Sequence, residues 1–353
     1  MIYGAYSSPQ SFWEGGGRFE AYGINALFLG SGRIDADVIA TARAQGASVY
    51  AEFATFRGDY LLEKYPDVAP VGRDGLPIPK TPRFLGACPS CPRLLLEKRA
   101  GLRRLVREQP VAGVWLDYLH FHCDFELPDP PLDDSCFCDR CVRRFVTDTG
   151  LGDAGHQITG HQITGHQITG HQIAGRTTAE RASWILAEVG DAWTEWKCDV
   201  MAGFAAEARR VVDEERPGTK LGVYSAPWTD DEYGGGLRRI LGEDIDRLHA
   251  VVDVFSPMLY QVKCGRPAEW VETYTRWMVG RVGGLNARRG RRVEVWPIVE
   301  AEGATAPELE TVLRGALSGG ATGVMFYALP HVVADGGKLG AVRRVYSPSA
   351  NNG

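Results

Sequence analysis

Residues 111–145 read VAGVWLDYLHFHCDFELPDPPLDDSCFCDRCVRRF, and this stretch decides the fold. Its start, 111–116, is uncharged and rich in β-branched and aromatic side chains, which is typical of a buried strand. Asp117 follows directly, and a proline-rich loop with three clustered cysteines comes after it. In a parallel barrel enzyme, catalytic side chains stand where the strands end. The stretch therefore predicts a barrel strand that presents Asp117 at an active-site mouth.

Seven more short apolar runs occur along the chain, and segments with helical periodicity separate them. The eight runs span residues 2–6, 26–29, 48–53, 111–116, 220–224, 252–259, 293–299 and 323–327. The predicted helices between them include residues 35–45, 94–108, 182–214, 270–282 and 308–318. This alternation predicts an α/β fold, a (β/α)8 TIM barrel, because a Rossmann fold would need a glycine fingerprint after the first strand. We predict a single domain over residues 1–346 and a flexible tail at 347–353.

The composition indicates a globular chain without a charged partner surface. It has 353 residues, a formal net charge of -5 and 44% hydrophobic residues, enough for a full core. This mild acidity gives no case for a nucleic-acid or membrane partner, and no apolar run approaches the roughly 18 residues of a membrane span. The N-terminal MIYGAYSSPQ lacks the pattern of a secretory signal, so we expect a cytoplasmic location. The triple-glycine runs lack the spacing of phosphate or dinucleotide loops, and no organic cofactor is predicted.

Residues 155–175, GHQITGHQITGHQITGHQIAG, form a near-perfect five-residue repeat. The period is too short for a solenoid, and each unit carries a helix-weakening glycine. Five-residue spacing also puts successive histidines on different helix faces, which disfavours a shared metal site. We predict a low-complexity insertion whose deletion leaves fold and activity intact.

Polar and aromatic side chains cluster at or just past the ends of most predicted strands. Those ends share one mouth in a barrel, and a mixture of rings and carboxylates suits a sugar. Glycoside cleavage typically needs two carboxyl groups, and we predict Asp117 as acid/base and Glu300 as nucleophile, with the reverse assignment open. Glu52 and Glu302 are the alternative carboxylates. The predicted substrate-binding residues are Glu52, Tyr118, His120, Trp228, Tyr260, Glu302 and Tyr327.

The cysteines of the loop form a candidate metal site. Cys136, Cys138 and Cys141 lie within six residues, and Cys88 or Cys91 can supply a fourth thiolate. The earlier pair begins the helix before the fourth strand, so it reaches the same mouth as the loop after that strand. Four thiolates suit a closed structural zinc site, which leaves no open position for a substrate. In a cytoplasmic protein such clusters bind metal more often than they form disulfides, so we predict one structural Zn²⁺.

The order of motifs also carries a family resemblance. CPS-x-P, then a helix, then G-V-x-L-D-Y, then C-F-C-x-x-C-x-x-x-F resembles the glycoside hydrolases related to the family 42 β-galactosidases and similar sugar-hydrolase-like barrels. Some members of that group hold a structural zinc with one cysteine followed by C-x-C-x-x-C. The resemblance implies a TIM barrel that acts on a carbohydrate, with zinc ligands at Cys88, Cys136, Cys138 and Cys141.

The chain departs from the family 42 pattern at the end of the fourth strand. Family 42 enzymes carry Asn-Glu there, with the glutamate as acid/base, whereas this chain has Leu116-Asp117. The α-amylase-like and α-galactosidase-like barrels also end this strand in aspartate, which serves as their nucleophile. The resemblance therefore implies the fold and the zinc more directly than the substrate.

Two other functions stay open from the sequence. The absence of one of the two catalytic carboxylates would be enough to give a barrel that binds carbohydrate without cleaving it. A metal-dependent amidohydrolase could use His120-x-His122, although such enzymes usually place the histidine pair after the first strand and add histidines after the fifth and sixth. Carbohydrate is the one partner class indicated, and self-association into a homo-oligomer is left open.

Overall fold

Eight parallel strands close into a ring in the computed structural model, which describes residues 1–62, 65–81, 85–151 and 176–347. The strands are β1 Ile2–Tyr6, β2 Ala26–Gly30, β3 Ser48–Ala54, β4 Gly113–Asp117, β5 Lys220–Ser225, β6 Val254–Leu259, β7 in two segments, Glu294–Val295 and Ile298–Glu300, and β8 Gly323–Tyr327. Each strand pairs with the next, and β8 returns to β1 by pairing Gly323 with Ile2. This closed parallel ring with helices around it confirms the predicted (β/α)8 barrel.

The seventh strand is interrupted at Trp296 and Pro297, between its two segments. Proline has no backbone N–H to donate to a neighbouring strand, which accounts for the break. The predicted repeat loop at 155–175 and residues 348–353 of the predicted tail lie outside the described residues. The boundaries of the single domain stay a prediction.

Helices fill most of the connections between strands. They are α1 Gln10–Glu14, α2 Ala36–Ala44, α3 Pro92–Glu108, α4 Asp139–Thr149, α5 Thr178–Glu188, α6 Gly190–Glu215, α7 Gly236–Arg239, α8 Ile245–His249, α9 Glu269–Arg289, α10 Ala306–Ser318, α11 Leu329–Val333 and α12 Gly336–Tyr346. The single helix predicted at 182–214 is wrong, because the chain breaks at Val189 and forms α5 and α6 instead. Thr177 starts α5 with a capping box that the sequence TTAE encodes. None of the helices in the described ranges is long and apolar enough to cross a membrane.

The interior of the barrel below the mouth is filled by large aromatic rings. Trp115 packs against Tyr50 at 5.1 Å and stacks on Trp296 at 5.4 Å between ring centroids. Glycine makes room for these rings: a Cβ added at Gly222 would lie 2.2 Å from the indole of Trp115. The Trp115 indole N–H donates to Ser256 Oγ at 2.9 Å, so this buried polar group is satisfied. The packed rings form a solid floor, and the open space lies above it at the carboxyl ends of the strands.

Two long connections rise beside that open space and pair with each other. The connection after β3 spans residues 55–91, and the connection after β4 spans residues 118–138. Isolated bridges join Arg57 to Gly86 within the first connection, and Gly72 of the first to Ser135 of the second. The two connections therefore form one wall of the mouth.

Candidate active site

A cavity of about 330 Å³ opens at the carboxyl ends of the strands. This volume is at the lower end of the range for ligand pockets, roughly 300–1,000 Å³. Its walls are largely aromatic, with rings from three strands and from the connections after β4 and β6. These rings belong to Tyr6, Tyr118, Phe125, Tyr224, Tyr260 and Tyr327. Apolar ring faces that also carry hydroxyl groups are suited to the two kinds of surface that a sugar presents.

Asp117 and Glu52 lie together on the floor of this cavity, on the neighbouring strands β4 and β3. The register pairs Ala54 with Asp117, and the side chains of Glu52 and Asp117 both line the cavity. The Tyr6 hydroxyl donates to Glu52 Oε2, and the Tyr118 backbone N–H donates to Asp117 Oδ1 at 2.8 Å. Burial, followed by the negative charge of Glu52, raises the pKa of Asp117 well above its usual range. These surroundings therefore favour the protonated form of Asp117.

The residue after Asp117 has an unusual backbone. Tyr118 adopts φ of 54°, in the left-handed region that bulky residues rarely enter. Such strained positions concentrate at functional sites, where the surrounding structure holds them in place. Here the turn carries the Tyr118 ring to the cavity wall, where the guanidinium of Arg57 lies 5.3 Å from the ring centroid.

Burial favours the neutral form of His120 and of His122, and each ring also contacts a backbone group. His120 Nδ1 lies 2.7 Å from the Phe121 carbonyl and must donate to it, and burial lowers the pKa of His120 to about 4. His122 Nδ1 accepts from the Gly86 N–H at 2.9 Å, and burial also lowers the pKa of His122. His120 lines the cavity. Within the described ranges, the one group of three or more side chains close enough to share a metal ion consists of cysteines, so neither histidine belongs to such a group.

Glu300 ends the seventh strand at the same mouth, but its carboxylate is covered. Its side chain is 2% exposed, and Oε2 accepts from the Lys263 backbone N–H at 3.0 Å. The Lys263 ammonium lies 3.7 Å from Glu300 Oε1 and 3.9 Å from Glu126 Oε2, above the rings of Tyr260 and Tyr327. Lys263 and Glu126 line the cavity, whereas Glu300 lies behind them. Burial raises the pKa of Glu300, and Lys263 opposes that shift.

The cavity thus contains some of the predicted residues and not others. Glu52, Tyr118, His120, Tyr260 and Tyr327 line it beside Asp117. Trp228 is buried against the rings of Phe125 and Tyr233 instead, with centroids 6.2 and 4.6 Å away. Glu302 is half exposed, and its Oε2 lies 3.8 Å from Nε2 of the His331 ring. The predicted roles of Glu300, Trp228 and Glu302 stay predictions.

Other cavity residues were not predicted from the sequence. Tyr6 and Tyr224 stand at the ends of β1 and β5, so the strand-end rule could have found them. Arg57 and Lys263 lie in loops without any periodic signal. Arg57 is fixed by Asp59, whose two oxygens accept from Nε and Nη2 at 2.7 and 3.1 Å. These two cations and the carboxylates make the cavity strongly polar between its aromatic walls.

The four predicted cysteines come together beside this mouth. The sulfur atoms of Cys88, Cys136, Cys138 and Cys141 all lie within 4.8 Å of one another, and Cys88 Sγ is 3.5 Å from both Cys138 and Cys141. Tetrahedral zinc with Zn–S bonds of about 2.3 Å would place sulfurs roughly 3.8 Å apart, so the set fits. The cluster contains Cys88 rather than Cys91. It could hold a metal ion, and it ties the connection after β3 to the connection after β4.

Comparison with solved structures shows which proteins share this fold. The PgaB (BpsB) glycoside hydrolase domain from Bordetella bronchiseptica matches with a TM-score of 0.66 at 13% identity, over 98% of each chain. A catalytic mutant of Gan42B, a GH42 β-galactosidase from G. stearothermophilus, matches with a TM-score of 0.66 at 11% identity, over 98% of this chain and 56% of the other. The α-L-fucosidase isoenzyme 2 from Paenibacillus thiaminolyticus matches with a TM-score of 0.58 at 13% identity, over 99% of this chain and 49% of the other.

These likenesses show a common barrel architecture. The chain spans about half the length of the β-galactosidases and the fucosidase that it matches. No protein-family model matches the sequence, and no curated protein matches it.

Proposed function

We propose that this protein hydrolyses O-glycosidic bonds in the cavity at the mouth of the barrel. The observation that carries the proposal is the place of Asp117, beside Glu52, on the floor of an aromatic-walled cavity, where burial raises its pKa. A carboxyl group that keeps its proton at neutral pH can protonate the oxygen of a leaving group. The shared fold with glycoside hydrolases supports the same reaction class.

In this proposal Asp117 is the proton donor and a second carboxylate stabilises the positive charge that develops at the anomeric carbon. Glu126 lines the same cavity and is close enough for its charge to raise the pKa of Asp117. Glu126 is therefore the second carboxylate that the geometry favours. Glu300 is the nucleophile predicted from sequence, but Lys263 covers its carboxylate. In this proposal Glu300 would affect the reaction by way of its contact with Lys263. The sugar ring would stack on Tyr260 and Tyr327, and neutral His120 would bind a hydroxyl group.

The metal site belongs to the scaffold in this proposal. Cys88, Cys136, Cys138 and Cys141 would hold one zinc ion, whose four thiolates leave no position for water or substrate. Such an ion would fix the wall formed by the two long connections. A cytoplasmic location would keep these thiols reduced, and it stays a prediction.

The proposal is tested by assaying a panel of aryl glycosides with the wild type, Asp117→Asn and a matched control, Asp37→Asn. Asp37 lies in the exposed first turn of α2, outside the cavity. We expect the wild type and the control to cleave at least one member of the panel, and Asp117→Asn to lose at least about 100-fold in kcat/KM. Equal turnover by all three proteins would refute the assignment of Asp117. Tight sugar binding without turnover would refute hydrolysis and support a carbohydrate-binding barrel.

A further inference from the structure

We infer that Lys263 is a specificity-determining residue whose ammonium group contacts the sugar in the cavity and donates hydrogen bonds to its hydroxyl oxygens. This inference rests on the proposed function and adds a residue that the strand-end pattern does not indicate. It is carried by the place of the ammonium group, above the two rings on which the sugar would stack.

The backbone at Lys263 is held from two sides. Its N–H donates to Glu300 Oε2 at 3.0 Å, and Gln261 Nε2 donates to the Glu300 carbonyl at 3.4 Å. On the other side, the Cys264 N–H donates to the Tyr260 carbonyl at 2.9 Å, which closes a tight turn after β6. The end of β7 and this turn therefore fix the point from which the Lys263 side chain extends.

From that point the Lys263 ammonium group reaches over the aromatic wall of the cavity. It lies 4.7 Å from the ring centroid of Tyr260 and 4.9 Å from that of Tyr327. Ring faces attract cations at such distances. The two ring centroids are 5.3 Å apart, so one ammonium group contacts both rings. A sugar that packs against these rings therefore lies beside Lys263.

Two carboxylates lie near the ammonium group, but neither is at hydrogen-bond distance. Glu300 Oε1 is 3.7 Å and Glu126 Oε2 is 3.9 Å from Lys263 Nζ, whereas N–H···O hydrogen bonds span about 2.7–3.2 Å. An ammonium group has three N–H donors, and these two carboxylates take none of them at that length. The side chain is 25% exposed and lines the cavity. Acceptor oxygens of a ligand in the cavity can therefore take these donors.

The other cation of the cavity, Arg57, is held differently. Its Nε and Nη2 donate to Asp59 at 2.7 and 3.1 Å, and its Nη1 donates to the Tyr118 hydroxyl at 3.2 Å. These hydrogen bonds tie Arg57 to the wall formed by the two long connections. Of the two cations, Lys263 is therefore the one whose nearest charged partners leave its donors to a ligand.

The charges around the ammonium group determine the kind of acceptor that it takes. A sugar carboxylate beside Lys263 would also lie near Glu126 and Glu300, which repel it. A protonated amino group at the same place would be repelled by the ammonium group itself. A neutral hydroxyl oxygen can accept from Lys263 without either repulsion. Lys263 therefore selects a neutral sugar over an amino sugar or a uronic acid.

The kinetic test uses Lys263→Met, Lys263→Arg and a matched control, Lys220→Met. Lys220 also forms an ion pair with a carboxylate, Glu294 at 3.2 Å, and lies over a ring, Trp296 at 5.6 Å. It stands at the start of β5, at the end of the barrel opposite the cavity. Methionine keeps an unbranched side chain but has neither the charge nor the N–H donors, whereas arginine keeps both.

We expect Lys263→Met to raise KM for the best aryl glycoside of the wild type at least about tenfold and to change kcat by a smaller factor. Lys263→Arg should raise KM less than Lys263→Met does, and Lys220→Met should leave KM unchanged. Melting temperatures of all variants check that the fold is retained. An unchanged or lower KM in Lys263→Met would overturn the inference while the proposed function stands.

A binding measurement without turnover separates the inference from the proposed function. Calorimetric titration of the wild type with D-galactose, D-galactosamine and D-galacturonate, and with the matching gluco sugars, should show the tightest binding for a neutral hexose. Lys263→Met should weaken that binding at least about tenfold. If this is seen but no glycoside is cleaved, the inference stands and the proposed reaction fails. Tighter binding of an amino sugar or a uronate would overturn the inference, and absence of both binding and cleavage would overturn both proposals.

Discussion

The Lys263 ammonium lies 3.7 Å from Glu300 Oε1 and covers that carboxylate on the cavity side. Glu300 was predicted to be the nucleophile, and Lys263 would have to move before a sugar could reach it. Glu126, 3.9 Å from the same ammonium, already lines the cavity. Glu126 and Glu300 are therefore the two candidates for the second carboxylate, and they differ in that Glu126 lines the cavity whereas Glu300 is covered.

We expect Glu126→Gln to lower kcat on an aryl glycoside by at least about 100-fold, because its charge faces the reacting sugar. Glu300→Gln should lower kcat by less than about tenfold, since the glutamine side chain can still accept the Lys263 N–H. Steady-state kinetics of the two variants beside Asp37→Asn checks this prediction. The opposite pattern would restore Glu300 as the nucleophile.

The buried Glu243 carboxyl group predicts a pH-dependent stability. It is 2% exposed, both oxygens accept from the Ala226 N–H at 3.3 and 3.2 Å, and burial raises its pKa to about 8. Between its ordinary pKa and about 8, the folded state holds a proton that the unfolded chain has released. The contribution of Glu243 to stability is therefore fully present at low pH and is lost as the pH rises through this window.

Urea unfolding at several pH values measures that dependence. We expect the free energy of unfolding of the wild type to fall relative to Glu243→Gln between about pH 5 and pH 8, by up to about 1.4 kcal/mol per pH unit. The amide introduced by this substitution cannot titrate, so the variant removes this contribution alone. Parallel curves for the two proteins would contradict a neutral buried carboxyl group.

A buried ion pair fixes the connection after β4 to α6. Lys197 is 0% exposed, and its Nζ donates to Asp134 Oδ1 at 2.9 Å and to the Arg239 carbonyl at 2.7 Å. Asp134→Asn would leave a buried ammonium without its counter-charge, and we expect a loss of about 3–5 kcal/mol in the free energy of unfolding. Glu272→Gln, which breaks an exposed pair with Arg276, should cost under about 1 kcal/mol. Equal losses in urea unfolding would contradict a structural role for the buried pair.

The cysteine cluster predicts the metal content and the effect of its removal. Mass spectrometry of protein purified without a histidine tag should find about one zinc per chain. Chelation should lower the melting temperature, because metal binding contributes to folding. Cys138→Ser should lose the metal, whereas Cys91→Ser should retain it, since Cys91 lies outside the cluster. Metal-free wild type, or equal loss in both variants, would refute the site.

The strands could be predicted because each combines a short apolar run with a polar or aromatic end. The predicted run at 2–6 and the observed Ile2–Tyr6 coincide, for example. The break between α5 and α6 was missed because the apolar pattern continues across Val189. Asp117 could be recognised as a strand-end carboxylate from its neighbours alone. The place of Glu52 beside it could not be predicted, because it depends on the register that sets Ala54 beside Asp117.

The sequence also could not predict that Lys263 covers the Glu300 carboxylate. Its place at the end of β7 follows from the pattern, but its exposure depends on where the loop after β6 puts Lys263. Similarly, the choice of Cys88 over Cys91 depends on how the first turn of α3 meets the loop after β4. Loop conformations of this kind have no periodic signal.

The role of Asp117 as proton donor is tested most directly by comparing leaving groups in Asp117→Asn. A glycoside with an acidic phenol as leaving group needs little protonation, whereas an alkyl glycoside needs a proton donor. We predict that Asp117→Asn loses at least about 100-fold more kcat/KM on the alkyl glycoside than on the activated aryl glycoside. An equal loss on both substrates, or no loss on either, would contradict the account.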